Sequence, residues 1–273
     1  MTLPLETFAI IRAMQEREQP FAVATVVRTV AVTAAKAGAK AVILPDGTVL
    51  AGWIGGGCAR GATLKAAREA IADGQPRLVS VQPEDLLADL GVHPGETRGG
   101  IRYASNMCPS QGSMDIFVEP VLPRPELVVM GASPVAIALA SLAPQFGFQV
   151  TVAAPAADHG KFAGADRMIT DFALPTANGL RLIVISTQGS GDLPALTAAL
   201  AADAAHVAFV GSRRKAATLG EKLQAAGVPQ ERIAAIKAPA GLDLGAITPE
   251  EIALSILAEL VRVRRGRQRD LTQ

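Results

Sequence analysis

The spacing of apolar positions divides this chain into two stretches with different grammars. In the first, residues 5–18 carry apolar side chains at helical spacing. Residues 21–30, FAVATVVRTV, are rich in β-branched side chains and predict a strand. Further strands are expected at 39–44 and 49–54, with Pro45-Asp46-Gly47 as the hairpin turn between them. A helix over 59–73, a strand over 77–82 and a last strand over 114–120 complete this half. Helices mixed with hairpin-linked strands predict an α+β domain on a mixed sheet.

Pro120, Pro123 and Pro125 then fall within EPVLPRPE, a stiff and extended connector. Beyond it the pattern becomes strand, helix, strand, helix. Strands are expected at 127–130, 149–154, 181–186 and 206–210. Helices are expected at 135–146, 193–202, 213–226 and 249–265. Continuously apolar strands alternating with helices predict a parallel sheet covered on both faces, a Rossmann-like doubly wound domain. The fold expected is therefore α/β: an N-terminal α+β domain over 1–122, then a Rossmann-like domain over 123–273. Ile252, Leu254, Ile256, Leu257 and Leu260 on the last helix are assigned to the core, with part of that face a candidate homodimer contact.

Composition mainly excludes. With 273 residues, 49% of them apolar, the chain can bury two cores, which rules out a disordered or disulfide-stapled molecule. A net charge of +1 and only 4% aromatic residues leave neither an electrostatic footprint for nucleic acid nor a base-stacking platform. Residues 127–144 are uncharged, but Gly131-Ala132-Ser133-Pro134 breaks them into strand, turn and helix, so no membrane span is expected. The first residues carry Glu6 and lack a basic start before an apolar stretch, so a cytoplasmic protein is expected.

The candidate chemistry begins at GWIGGGCARG. Gly55, Gly56 and Gly57 lead from a strand into a helix, and Cys58 stands at the helix start. Unpaired N–H groups there favour an anion, hence a thiolate, which is both a soft metal ligand and a nucleophile. A gap-filling cysteine in a tight turn is the competing reading. Cys108 lies in a second loop, NMCPSQG, and spacing alone does not bring the two thiols together. His93, His159 and His206 are scattered and no CxxC occurs, which argues against structural zinc.

In the second half, VVMGASPVAI has the strand–turn–helix form of a dinucleotide-binding unit. Gly131 is the only fingerprint glycine. Ala132 and Ser133 complete the turn, and Ala153-Ala154-Pro155 stands where an acid would hold a ribose. NAD(P) is therefore disfavoured, while a phosphate on the helix start is retained. Gly211-Ser212-Arg213-Arg214-Lys215 opens another helix with three cations against its dipole, so either a bound anion relieves them or their side chains splay into water. Thr248, Pro249 and Glu251 form a capping box, Asp243 lies in a glycine-rich loop before it, and five arginines between 262 and 269 read as a solvated helix end.

These segments together resemble the XdhC/CoxI family of molybdenum-hydroxylase maturation factors. The resemblance rests on ATVVRT at Ala24, GGC at Gly56, IFVEPV at Ile116, GSRRK at Gly211 and GLDLGAITPEEIALSILAEL at Gly241. It covers nearly the whole chain, and the short form is similar to accessory proteins of carbon monoxide dehydrogenase. The resemblance implies a chaperone that binds the molybdenum cofactor, as molybdopterin or its cytosine dinucleotide. It implies work with a cysteine desulfurase and delivery to the large subunit of an apo molybdenum hydroxylase. Cys58 and Cys108 match the family's two cysteines, with Cys58 the metal contact. Gly131, Ser133, Gly211–Arg214 and Asp243 match its nucleotide-domain segments. Two departures stand out: Pro109-Ser110-Gln111-Gly112 follows the second cysteine in place of two glycines, and Gly131-Ala132-Ser133 replaces Gly-Ala-Gly. The alternatives are an FAD- or NAD(P)-binding oxidoreductase and an assembly factor that docks the hydroxylase without touching the cofactor.

Overall fold

The computed structural model describes residues 4–109, 111–177 and 179–270. The chain divides into two compact units, with the break between Pro123 and Arg124 inside the proline-rich connector.

The first unit contains α1 (Pro4–Glu16), β1 (Phe21–Val30), β2 (Lys40–Ile43), β3 (Val49–Gly52) and α2 (Gly57–Asp73). It continues with β4 (Arg77–Gln82), α3 (Glu84–Leu90), β5 (Thr97–Arg98), β6 (Ile101–Ser105) and β7 (Ser113–Val121). The seven strands form one sheet in the order β3-β2-β1-β7-β4-β6-β5. Only β4 and β6 pair in parallel, so the sheet is mixed as expected. The alternation in β1 sorts its side chains: Ala22, Ala24 and Val26 pack with α2, while Phe21 packs with Met14 of α1 on the other face. The buried residues of α2 are all small (Ala59, Thr63, Ala66, Ala67, Ala70), which lets it lie close over β1, β4 and β7. It ends where Gly74 turns left-handed and donates its N–H to the Ala70 carbonyl.

The second unit contains β8 (Glu126–Met130), α4 (Pro134–Leu142), β9 (Gln149–Ala153), β10 (Arg167–Ile169) and β11 (Arg181–Ile185). It continues with α5 (Asp192–Ala201), β12 (His206–Phe209), α6 (Arg213–Ala225), α7 (Gln230–Ala234) and α8 (Pro249–Asp270). All five strands are parallel, in the order β10-β9-β8-β11-β12. Leu127, Val129, Val150, Leu182 and Val184 point to α4 and α8. Val128, Met130, Ile183, Ile185 and Phe209 point to α5 and α6. This is the doubly wound Rossmann arrangement, and its order reverses between β8 and β11, where such sheets hold ligands beyond their carboxyl ends. The uncharged stretch 127–144 is spent on β8, the turn and α4. Among the described residues no helix is long and apolar enough to cross a membrane.

Three expectations are corrected. The helix expected over 135–146 is α-helical only to Leu142, and Ala143–Phe146 tightens into a 3-10 turn at Pro144. Leu254 is half exposed, because the buried stripe of α8 runs through Ala253, Ile256, Leu257 and Leu260, and 254 lies off that face. The arginine tail is not uniformly solvated: Arg264 stacks over the Phe148 ring at 4.8 Å and donates to the Phe146 carbonyl at 2.9 Å. The side chains of Arg267 and Arg269 lie outside the described residues. The elements α3, β5, β6, β10 and α7 were not expected from the pattern.

Candidate functional site

Cys58 is the second residue of α2. Gly56 is the cap residue of that helix and offers no side-chain acceptor, so the first-turn N–H groups face outward without a cap. The chain reaches this point from β3, past Trp53, whose ring lies beside Gly56 and is 53% exposed. Cys108 sits in the loop between β6 and β7. Asn106 holds that loop from both ends: its amide donates to the Gly112 carbonyl at 2.6 Å and its oxygen accepts from the Cys108 N–H at 3.1 Å. The Asn106 N–H in turn donates to the Gln82 carbonyl of β4.

The sheet order does what spacing could not. Both cysteines are thiols, and both line one cavity of about 360 Å³. Gly55, Gly56 and Gly57 form one side of it, and Val32, Met107 and Met114 contribute to the rest. Gly112 closes the wall: a Cβ there would collide with the Val32 carbonyl, so the cysteine loop and the end of β1 touch only because residue 112 has no side chain. Asn106, Met107 and Met114 were not singled out from sequence. The Asn-x-Cys spacing, which allows an Asx turn, is the signal that could have found the first.

In the second unit a cavity of about 340 Å³ opens where the strand order reverses, between the ends of β8 and β11. Gly131, Ala132 and Ser133 line it, together with Thr187 and Gln188. Gly131 has φ +103°, and a Cβ there would lie 2.6 Å from the Ser186 carbonyl. Ser133 is buried. Its hydroxyl caps α4 by accepting from Ala136 N–H at 3.0 Å and shares a hydrogen bond with Ser186 at 2.5 Å. What this turn presents to a phosphate is therefore backbone rather than the Ser133 hydroxyl. The acid missing from the end of β9 has a neighbour further on: Asp158 and Lys161, paired at 2.6 Å, also line this cavity.

The remaining candidates do not join that cavity. Ser212 caps α6 through the Lys215 N–H at 3.2 Å, and Arg213 and Arg214 are exposed. Arg213 lines a separate hollow beside α7. Lys215 is the cation of this group that is engaged: its ammonium meets Asp192 at 2.5 Å and lies over the Phe209 ring. Burial works to raise the Asp192 carboxyl. The Lys215 ammonium, the Thr187 hydroxyl and the Gly189 N–H outweigh it and hold the carboxyl below the usual range. Asp243 is exposed in the loop that Gly241 anchors by donating to Glu259 of α8. Behind that loop His206 is held below its ordinary value, mainly by burial, against the attraction of Glu259 at 3.7 Å.

Two family models match the chain. One, for the XdhC and CoxI family, covers residues 14–82, and the other, the XdhC Rossmann domain, covers 127–260. The chain belongs to the XdhC and CoxI family. Both family segments carry a candidate site: Cys58 lies in the first, the Gly131 turn in the second. Among its relatives, an uncharacterised Escherichia coli K12 protein, YqeB, is 28% identical over 95% of this chain and 46% of its own length. A Bacillus subtilis protein, described as a probable xanthine dehydrogenase component, is 28% identical over 55% of this chain and 46% of its own. The chain thus spans about half the length of these curated relatives. A crystal structure of a xanthine dehydrogenase from Bacillus halodurans is 20% identical over 96% of both chains, with a TM-score of 0.45.

Proposed function

We propose that this member of the XdhC and CoxI family is a maturation factor for a molybdenum hydroxylase of the xanthine dehydrogenase type. It binds the molybdenum cofactor and hands it to the large subunit of the apo-enzyme. The observation that carries the reading is the meeting of Cys58 and Cys108 on one cavity at the uncapped start of α2. The residues fit the group. A metal held by a dithiolene is soft and favours sulfur donors, and about 360 Å³ is within the range of small-molecule pockets. When bound, the cofactor supplies the metal and the position that accepts sulfur. The chain's own residues do the holding. Cys58 and Cys108 present sulfur, Asn106 keeps the Cys108 loop in place, and buried Met114 forms an apolar part of the wall. The start of α4 beside Gly131, Ala132 and Ser133 offers N–H groups to a phosphate or to the tail of a cytosine dinucleotide, and the same pocket would take FAD.

A cysteine desulfurase is the expected source of sulfur, and a carbon monoxide dehydrogenase is a second class of client. The test is retention. Wild type and Cys58→Ser are mixed with molybdenum cofactor, FAD or NAD(P), passed through gel filtration, and assayed for bound molybdenum, pterin and flavin. Retention of pterin and molybdenum by wild type, weakened in the variant, is the expected result. Retention of FAD or NAD(P) alone, indifferent to Cys58, would move the protein to the oxidoreductase class.

A further inference from the structure

We infer that Lys215 is a positioning residue for the cavity at the strand-order reversal: acting through Asp192, it fixes the loop 187–191 that walls that cavity, and it does not touch the anion held there. The inference rests on the reading that this cavity takes a phosphorylated ligand.

The loop itself is the first ground. It joins β11 to α5, and Thr187, Gln188, Ser190 and Gly191 line the same cavity as Gly131, Ala132 and Ser133. On its other side lies a second hollow of about 440 Å³, lined by Gly189, Gly191, Asp192 and Lys215 among others. The loop is therefore a wall one chain thick between two hollows. Its backbone is not relaxed: Gln188, Gly189 and Gly191 are all left-handed, at φ +51°, +99° and +95°. Glycine takes that region freely, but Gln188 carries a side chain and needs its neighbours to hold it there.

The second ground is what holds the wall. Asp192 is 6% exposed, and both of its carboxylate oxygens are engaged. Oδ1 accepts from the Thr187 hydroxyl and from the Gly189 N–H at 3.1 Å, so it grips the loop at two points. Oδ2 meets the Lys215 ammonium at 2.5 Å. A carboxylate this buried needs a paired cation to stay charged. Lys215 is fixed in turn from behind. Its ammonium lies 5.5 Å from the centre of the Phe209 ring, and a Cβ at Gly211 would come within 2.4 Å of that ring. The segment Gly211–Lys215 thus divides its work: Gly211 makes room for Phe209, Ser212 caps α6, and Lys215 braces the loop. This lysine has its counter-ion within the protein, so no phosphate is needed to balance it.

The test compares full-length wild type with three variants. Lys215→Met keeps the stem over Phe209 and removes the charge, Lys215→Arg restores the charge, and Asp192→Asn removes the carboxylate. Cytidine diphosphate and FAD are the probes, titrated by calorimetry below the melting temperature of every variant. Hydrogen exchange is read on the unliganded proteins. Lys215→Met is expected to weaken binding of the probe that wild type holds by roughly tenfold, and Lys215→Arg to recover most of it. The amides of Gly189 and Ser190 should exchange faster in Lys215→Met while those of β11 do not change, a local effect that a general loss of stability would not give.

Asp192→Asn decides between brace and ligand. A brace acts through the carboxylate, so this variant should also bind more weakly, and Asp192→Asn combined with Lys215→Met no more weakly than Lys215→Met alone. A lysine that touched phosphate would be freed by Asp192→Asn, and binding would hold or tighten. That result, unchanged exchange in Lys215→Met, or faster exchange with unchanged probe affinity would overturn the inference. Wild type that holds neither probe would remove the reading of the cavity itself and the positioning role with it, whereas failure in the variants alone leaves that reading standing.

Discussion

At the scale of single residues, two glycines carry the candidate sites. Gly131→Ala would force a left-handed φ on a residue with a side chain and drive its Cβ into the Ser186 carbonyl. The expected loss is more than about 2 kcal/mol, read by chemical denaturation. Gly112→Ala is expected to push the Cys108 loop away from Val32, which thiol labelling would read as faster modification of Cys58. Two titrating groups contribute to the acid limb of stability. His206 has a folded pKa below its ordinary 6.5, so protonation favours unfolding, and its contribution is full above that value and lost as the pH falls through it. His206→Gln should therefore flatten the fall in melting temperature between about pH 7 and 5. Asp192 has a depressed pKa as well. Its pairing stabilises the fold above its unfolded value near 3.8 and fades below it. Asp192→Asn is expected to cost about 1–3 kcal/mol at neutral pH, with the deficit shrinking toward pH 3.

At the scale of elements, the ends of helices were the most legible features. The capping box at the start of α8 is present in full: Thr248 accepts from Glu251 N–H at 3.3 Å, and Glu251 accepts from Thr248 N–H at 3.0 Å and Ile247 N–H at 2.8 Å. Thr248→Ala should cost about 0.5–2 kcal/mol, measured by urea unfolding. The strands β1 and β4 begin and end where their apolar patterns do, at Phe21–Val30 and Arg77–Gln82. The misses share a cause. β6 is only partly buried along its length and β10 is three residues at a sheet edge, so neither carries the alternation that marks a strand. α3 had a readable start, with Glu84 and Asp85 after Pro83, but it is only seven residues long. The thiol cavity was half legible. The glycines pointed to Cys58, but its approach to Cys108 depends on β7 lying between β1 and β4, a pairing of segments far apart in sequence.

At the scale of the whole molecule, each compact unit has its own core and its own cavity, and the chain carries a net charge of only +1. A nearly neutral surface exerts little long-range pull, so association with the proposed client enzyme is expected to change less than about threefold between low and physiological salt. Surface plasmon resonance at two ionic strengths checks this. Neither cysteine lies in the fully buried core, so Cys58→Ser and Cys108→Ser should each shift stability by less than about 1 kcal/mol while abolishing the proposed client activation. Such a variant is a usable reagent: a folded competitor with its sulfur removed. The absence of charge from the described cavity wall has a further consequence. Small neutral alkylating agents can partition into it, whereas anionic ones of equal size must shed water without finding a cation in return. Half-buried Cys58 should accordingly discriminate between N-ethylmaleimide and a sulfonated maleimide, while exposed Cys108 accepts both. The ratio of the two labelling rates would then act as a gauge of whether the cavity is shut or filled.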